Sequence, residues 1–313
     1  MESPQMDRKS ERRSIPRTIT PLSTPAYDGD ALLRFPLKAS ELQQVVRSAL
    51  EEDQAFNDIT TIATVVSDRR ARATLVARGT GTIAGVPFAL EAFRQLDPKG
   101  TLRVEREDGS RAQKGDPVVF VTGHARGLLA AERVALNFMQ RMSGIATLTA
   151  RFVDAVTGTS AKILDTRKTT PGWRRLEKYA VRAGGGINHR MDLADAILIK
   201  DNHLAACEGD ITLAIRRVKE MNPEGIQIEV ECERPDQVQT AVDAGAQIVL
   251  LDNMSLDNLR ESVRIAAGRA TTEASGGVNL STVRAIAETG VDWISVGALT
   301  HSPPALDLAL DFD

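Results

Sequence analysis

Six short apolar runs in the second half of the chain each end in charged, polar or small residues. They close as Asp165-Thr166-Arg167-Lys168-Thr169-Thr170, Lys200-Asp201-Asn202-His203, Glu229-Val230-Glu231, Asp252-Asn253, Glu273-Ala274-Ser275-Gly276-Gly277 and Gly297-Ala298-Leu299-Thr300-His301. One charged strand end is merely solvated, whereas six in succession describe a single polar mouth. The charges there are uneven: residues 162–203 hold nine Lys/Arg against five Asp/Glu, a local +4 in a chain whose total is -3. Arg167, Lys168, Arg190 and Lys200 stand at strand ends or beside glycines, where a ligand can reach them. A guanidinium fork matches both oxygens of a carboxylate, so several such groups together predict a substrate with more than one negative charge. Arg174, Arg175, Lys178 and Arg182 fall on a predicted helix and read as its wet outer face.

Three glycine features point to phosphate. Ser275-Gly276-Gly277 precedes a predicted helix, Gly297-Ala298 follows the last strand, and Gly184-Gly185-Gly186-Ile187-Asn188-His189-Arg190 is the third. Backbone N–H groups in such turns can cradle a phosphate, as the last loops of a β/α barrel often do; the two C-terminal turns carry this reading best. Glu231 and Asp252 are acids in an otherwise basic mouth. They need Mg²⁺ or positive charge developing on a substrate, unless they only pair with Lys168, Lys200 or Arg167. His189 reads as a ligand contact, His203 and His301 as structural or phosphate-side hydrogen bonders; no histidine has metal-ligand spacing.

The elements that must position these residues follow from periodicity. Strands are predicted at 162–164, 196–199, 227–230, 248–251, 271–274 and 294–296, and they alternate with amphipathic helices at 211–221, 236–244, 256–267 and 280–288. Ala244-Gly245-Ala246-Gln247-Ile248-Val249 recurs 45 residues later as Thr289-Gly290-Val291-Asp292-Trp293-Ile294. In both, glycine closes a helix and a strand starts three residues on. A repeat of this kind builds a parallel barrel, here with fewer than eight strands; a doubly wound sheet lacks its G-x-G-x-x-G. A long helix is predicted from about 128 to 156, softened at Ser143-Gly144. Before it, a Ser-capped helix at 40–50 and strands at 73–77, 81–86 and 117–121 form a separate α+β layer. The fold class is therefore α/β, an N-terminal α/β sandwich followed by an incomplete, TIM-like β/α barrel. The boundaries are a disordered tail at 1–27, the sandwich at 28–130 and the barrel at 131–302.

With 313 residues, 42% hydrophobic and 26% charged, the chain is long enough to bury full cores and too apolar for bulk disorder. The near-neutral balance excludes a whole-surface nucleic-acid binder. No apolar run approaches the length of a spanning helix, and the N-terminus has no apolar signal core. Cys207 and Cys232 read as reduced thiols, and the expected location is the cytoplasm.

The ordered set Asp165-Thr166-Arg167-Lys168-Thr169, Gly184 to Arg190, Ile199-Lys200-Asp201-Asn202-His203, Leu250-Leu251-Asp252-Asn253, Ser275-Gly276-Gly277 and Val296 to His301 resembles the quinolinate phosphoribosyltransferases, the carboxylating nicotinate-nucleotide pyrophosphorylases. The resemblance implies transfer of phosphoribosyl from phosphoribosyl pyrophosphate to quinolinate with loss of CO₂, in the presence of Mg²⁺. It implies a dimer in which one subunit's sandwich covers its partner's mouth, and a last helix, in residues 303–313, packing back on the sandwich. Quinolinate would meet Arg167, His189, Arg190 and Lys200, with Arg133 reaching in from the partner. Lys168 would lie between the substrates. The 5′-phosphate would sit on Ser275, Gly276, Gly277, Gly297 and Ala298, and Thr166, Val296 and His301 complete the substrate-binding set. Glu231 and Asp252 would face the ribose and, through pyrophosphate, Mg²⁺; with Lys168 they form the catalytic set. The paired acids of the common phosphoribosyltransferases are missing, since Asn253 follows Asp252. Two rivals remain on residue types alone: a Schiff-base aldolase using Lys168 or Lys200, and a non-catalytic phosphate-ligand barrel.

Overall fold

The structure is a computed structural model that describes residues 33–222 and 225–313. The expectation for a tail at 1–27 lies outside the described residues. Among the described residues the twelve strands are β1 (Arg70–Ala77), β2 (Gly81–Thr82), β3 (Thr101–Val104), β4 (Arg111–Ala112), β5 (Pro117–His124), β6 (Lys162–Leu164), β7 (Ile197–Ile199), β8 (Ile228–Cys232), β9 (Ile248–Asp252), β10 (Thr271–Ser275), β11 (Trp293–Ser295) and β12 (Leu308–Phe312).

Strands β12-β1-β5-β3 make an antiparallel sheet. Helices Ala39–Glu52 and Val86–Leu96 accompany it. Two expectations change here. The run 81–86 is strand only at Gly81–Thr82; Gly85, in the left-handed region at φ 95°, turns the chain into a helix with Pro87 in its first turn. The first helix is capped not by Ser40 but at Lys38, whose N–H donates to the Glu41 carboxylate at 2.8 Å.

The long helix runs unbroken from Ala125 to Ala155. Ser143 and Gly144 do not soften it. The Ser143 hydroxyl bridges to the Ala84 backbone (2.9 Å from its N–H, 3.1 Å to its carbonyl), and Gly144 leaves the room that Pro304 and Ala305 occupy. The returning chain is a strand rather than a helix. Leu308, Leu310 and Phe312 alternate with Ala309 and Asp311, the period of two that suits an edge strand, and β12 pairs with β1.

The other sheet is parallel, in the order β6-β11-β10-β9-β8-β7. The seam between β6 and β7 is narrowed by Ile187, which bridges to Leu164 in parallel. Its N–H donates to Ile163 (2.8 Å), and its carbonyl accepts from Asp165 N–H (3.1 Å). The six-stranded incomplete barrel is thus as expected. The triple glycine, however, serves packing rather than phosphate. Side chains at Gly184 and Gly186 would collide with Ala146 and Thr149 of the long helix, and Gly185 sits at φ 86°. An aromatic column, Tyr179, Phe35, Phe88, Phe138 and Trp173, with neighbouring centroids 4.7–5.4 Å apart, ties helix Val86–Leu96 and the long helix to helix Arg174–Ala183 and the residue before it.

Candidate active site

The segment beside β6 delivers Asn188, His189 and Arg190 to the mouth because a buried ion pair pins it. Asp165, fully buried, accepts from Lys178 Nζ, from Asn188 Nδ2 at 2.6 Å and from the His189 N–H at 2.9 Å. Lys178 also donates to the His189 carbonyl at 2.8 Å. Burial pushes the Asp165 carboxyl up and the Lys178 amine down, each opposed by the other's charge. Lys178 is therefore a core residue, not part of a wet face. Its neighbours on helix Arg174–Ala183 are also engaged: Arg174 with Thr169 Oγ1 (3.1 Å), Arg175 with Glu41 (2.8 Å) and Arg182 with the Arg34 carbonyl (2.9 Å).

Arg167 and Arg190 face each other across the loops. Arg190 is held below the usual guanidinium range, first by burial and then by the Arg167 charge. The buried Arg167 Nε has no partner among the described residues. Two crowded guanidinium groups with an unused donor describe an anion site. Lys168 is exposed, and its stem runs along Gly297, where an added Cβ would stand 3.2 Å from its Cδ. Thr166 Oγ1 accepts from the Lys168 N–H at 3.1 Å. Lys200 Nζ donates to Glu231 at 2.8 Å, the pairing left open by the sequence. Asp252 accepts from Asn253 Nδ2 at 2.6 Å. Asn253 is itself at φ 54°, and Gly276, at φ 95°, is the residue that leaves it room. Beside it Gly277 opens on space. His203 Nδ1 accepts from the Lys200 N–H (2.9 Å), and His301 meets Ser302 (2.6 Å).

The sequence reading did not single out the floor of this site. Glu229 and Glu273 are buried, and their carboxylates lie 3.3 and 3.5 Å from His189 Nε2. The signal was available: Glu229 lies two residues before Glu231, and Glu273 two before Ser275, so each faces the same way one step deeper. The cluster has the composition of a metal site, but the Arg190 N–H donates to His189 Nδ1 at 2.7 Å. That contact puts the ring proton on Nε2 and leaves no lone pair there for a cation. Burial lowers the proton affinity of His189 and the two glutamates raise it above the ordinary value, yet a second proton would have to face the Arg190 N–H; the neutral ring follows.

Burial and the Glu229 charge push the Glu273 carboxyl up to about 8. Its folded-state pKa thus exceeds its unfolded one, so its stabilising contribution is complete below about pH 4.5 and is lost as pH rises to about 8. Glu273→Gln should therefore flatten the fall of Tm across that window; an unchanged pH–Tm curve would show the group to be ionised throughout.

Arg133 lies apart from these strand ends. With Asp53, Gln54, Ala55, Asn57, Asp58, Ile59, Leu129 and Ala130 it lines a groove of about 600 Å³ on the sandwich side.

Two family models match the chain: the N-terminal domain of quinolinate phosphoribosyl transferase over residues 58–143, and its C-terminal domain over 145–311. The chain belongs to the quinolinate phosphoribosyl transferase family. Among relatives of this family, the nicotinate-nucleotide pyrophosphorylase [carboxylating] of Mycobacterium leprae is 46% identical over 275 residues, covering 86% of this chain and 96% of its own. The probable enzyme of the same name from Bacillus subtilis is 41% identical over 271 residues, covering 87% and 93%. A solved nicotinate-nucleotide pyrophosphorylase from Francisella tularensis superposes with a TM-score of 0.83 at 38% identity, covering 90% of this chain and 99% of that one. The two quinolinate phosphoribosyl transferase domain models meet inside the long helix, at residues 143–145.

Proposed function

We infer that the protein transfers phosphoribosyl from phosphoribosyl pyrophosphate to quinolinate and releases pyrophosphate and CO₂, forming nicotinate mononucleotide for NAD synthesis. The observation that carries the site reading is the Arg167–Arg190 pair, with a buried Arg167 donor unpartnered among the described residues, together with the glycine turn at Gly277, which opens on space. Quinolinate, a pyridine dicarboxylate, occupies Arg167, Arg190 and Lys200 above His189, with Thr166 at the loop. The 5′-phosphate lies on Ser275, Gly276, Gly277, Val296, Gly297, Ala298 and His301, and Lys168 lies between the two. Glu231 and Asp252 face the ribose and favour positive charge at C1 as pyrophosphate leaves. The ring nitrogen attacks C1 as its bond to pyrophosphate breaks; the resulting pyridinium charge stabilises the electron pair left on the adjacent ring carbon when its carboxylate departs as CO₂, and that carbon then takes a proton from water.

Glu231 and Asp252 each have one oxygen engaged, by Lys200 and Asn253, and a second carboxylate oxygen for a hard cation. They suit Mg²⁺ carried on pyrophosphate, which would neutralise the leaving group. No aldolase nucleophile is required: Lys200 is charge-paired with Glu231. The working unit is a dimer in which Arg133 completes the partner's mouth, with the two halves of the chain divided near residue 130. Exposed Ile59, Ile62 and Val66 beside the Arg133 groove support that surface. Free Cys207 and Cys232 support the cytoplasm, and among the described residues no helix is long and apolar enough to cross a membrane.

Incubation with quinolinate, phosphoribosyl pyrophosphate and Mg²⁺ should give nicotinate mononucleotide and pyrophosphate in equal amounts. Absence of product with folded protein would sink the reading.

A further inference from the structure

Behind the mouth, a closed circuit of hydrogen bonds ties two loops that supply different halves of the site. Glu177, fully buried, accepts from Thr170 N–H at 3.1 Å, from Thr170 Oγ1 at 2.8 Å and from Arg141 at 2.6 Å. The same Arg141 nitrogen donates to the Thr300 carbonyl at 2.7 Å. Thr300, also fully buried, returns the circuit by donating its hydroxyl to the Lys168 carbonyl at 2.7 Å. Lys168 and Thr170 belong to the loop after β6, whereas Thr300 belongs to the short helix Ala298–His301, which follows Gly297 after β11. The two loops touch directly where the Lys168 stem crosses Gly297.

A carboxylate with no exposure is costly unless paired and hydrogen-bonded. A hydrophobic side chain would close the gap between helix Arg174–Ala183 and the loop more simply. What Glu177 adds is direction: it holds one end of the Lys168 loop, and through Arg141 it holds the carbonyl of the phosphate-side turn. The adjacent Lys178 grips the loop's other end through Asp165. Neighbouring residues on one helix thus clamp Asp165 to Thr170 from both sides.

We propose that Glu177, acting with Arg141 and Thr300, is a positioning residue that sets Lys168 at the junction of the base and phosphoribosyl subsites. The proposal deepens the functional reading above and rests on the role of Lys168 there. Misplacement of a catalytic group by about 1 Å can cost about 100-fold in rate. Glu177→Gln keeps the shape, loses the charge and turns an NH₂ toward donors.

The test is a double-mutant cycle on the full-length enzyme, reading kcat and both KM values together with Tm. Glu177→Gln should lower kcat about 10- to 100-fold with each KM within about threefold. In a Lys168→Ala background the same change should cost less than about twofold, because the group it positions is already gone. Glu177→Asp, which keeps the charge, should recover part of the loss. If Glu177→Gln does not fold, Thr300→Val, which removes only the hydroxyl on the Lys168 carbonyl, takes its place in the cycle. Equal costs in the presence and absence of Lys168, or a loss confined to Tm, would overturn the positioning role alone. An unchanged kcat in Lys168→Ala would overturn the assignment of Lys168 and the positioning role with it.

Discussion

On the dimer proposed above, Arg133→Ala and Glu231→Ala should each be nearly inactive alone and should regain activity when mixed under conditions of subunit exchange. Arg133 lies in a groove built from the sandwich side, away from the six strand ends, while Glu231 stands at the end of β8 against Lys200. In a mixed dimer one mouth carries both lesions and the other neither. Random exchange of equal amounts therefore restores at most about a quarter of the wild-type sites, the expectation for an isologous two-fold pair. The separate variants should also differ in kind. Arg133→Ala weakens quinolinate binding, whereas Glu231→Ala lowers kcat with quinolinate affinity nearly intact, because its charge matters as C1 becomes positive. Confirmed exchange with no recovered activity would confine Arg133 to its own chain.

Nicotinate, which lacks the second carboxylate, should be a poor substrate. The Arg167 and Arg190 guanidinium groups are crowded and partly desolvated, and Arg167 Nε has no partner among the described residues. Each charged hydrogen bond forgone costs about 1.5–3 kcal/mol. Two such contacts place kcat/KM for nicotinate about 100- to 10,000-fold below that for quinolinate. The comparison needs only product formation from each acid at matched phosphoribosyl pyrophosphate. Similar values for both would show that the arginines do not read a dicarboxylate.

The parallel barrel was legible because β/α alternation writes itself locally: apolar triplets, glycine closures and polar strand ends need no knowledge of their neighbours. Helix Ile211–Met221 and strand Lys162–Leu164 have the expected bounds. The helix Val86–Leu96 was hidden because the run Gly81 to Val86 carries strand-like residues, and only Gly85 at φ 95° separates the two elements. The last segment changed type from helix to strand because its neighbour, β1, comes from more than two hundred residues earlier.

For the site, residue type and position at strand ends were enough to name the basic loops, the two acids and the glycine turns as parts of one mouth, since in this architecture strand ends converge. What tertiary structure alone decided was the protonation and the pairing. Lys178 is a cation on a helix whose pattern reads as solvated; it is in the core because Asp165, just past the end of β6 and thirteen residues away, meets it. Glu229 and Glu273 look like ordinary strand residues until the barrel brings β8 and β10 around His189, where burial and mutual repulsion raise the Glu273 pKa. The triple glycine could have meant phosphate, and it is the close approach of the long helix that made it a packing device. Local chemistry determined which groups the mouth contains; distance and exclusion of water determined which of them are charged, held or free to act.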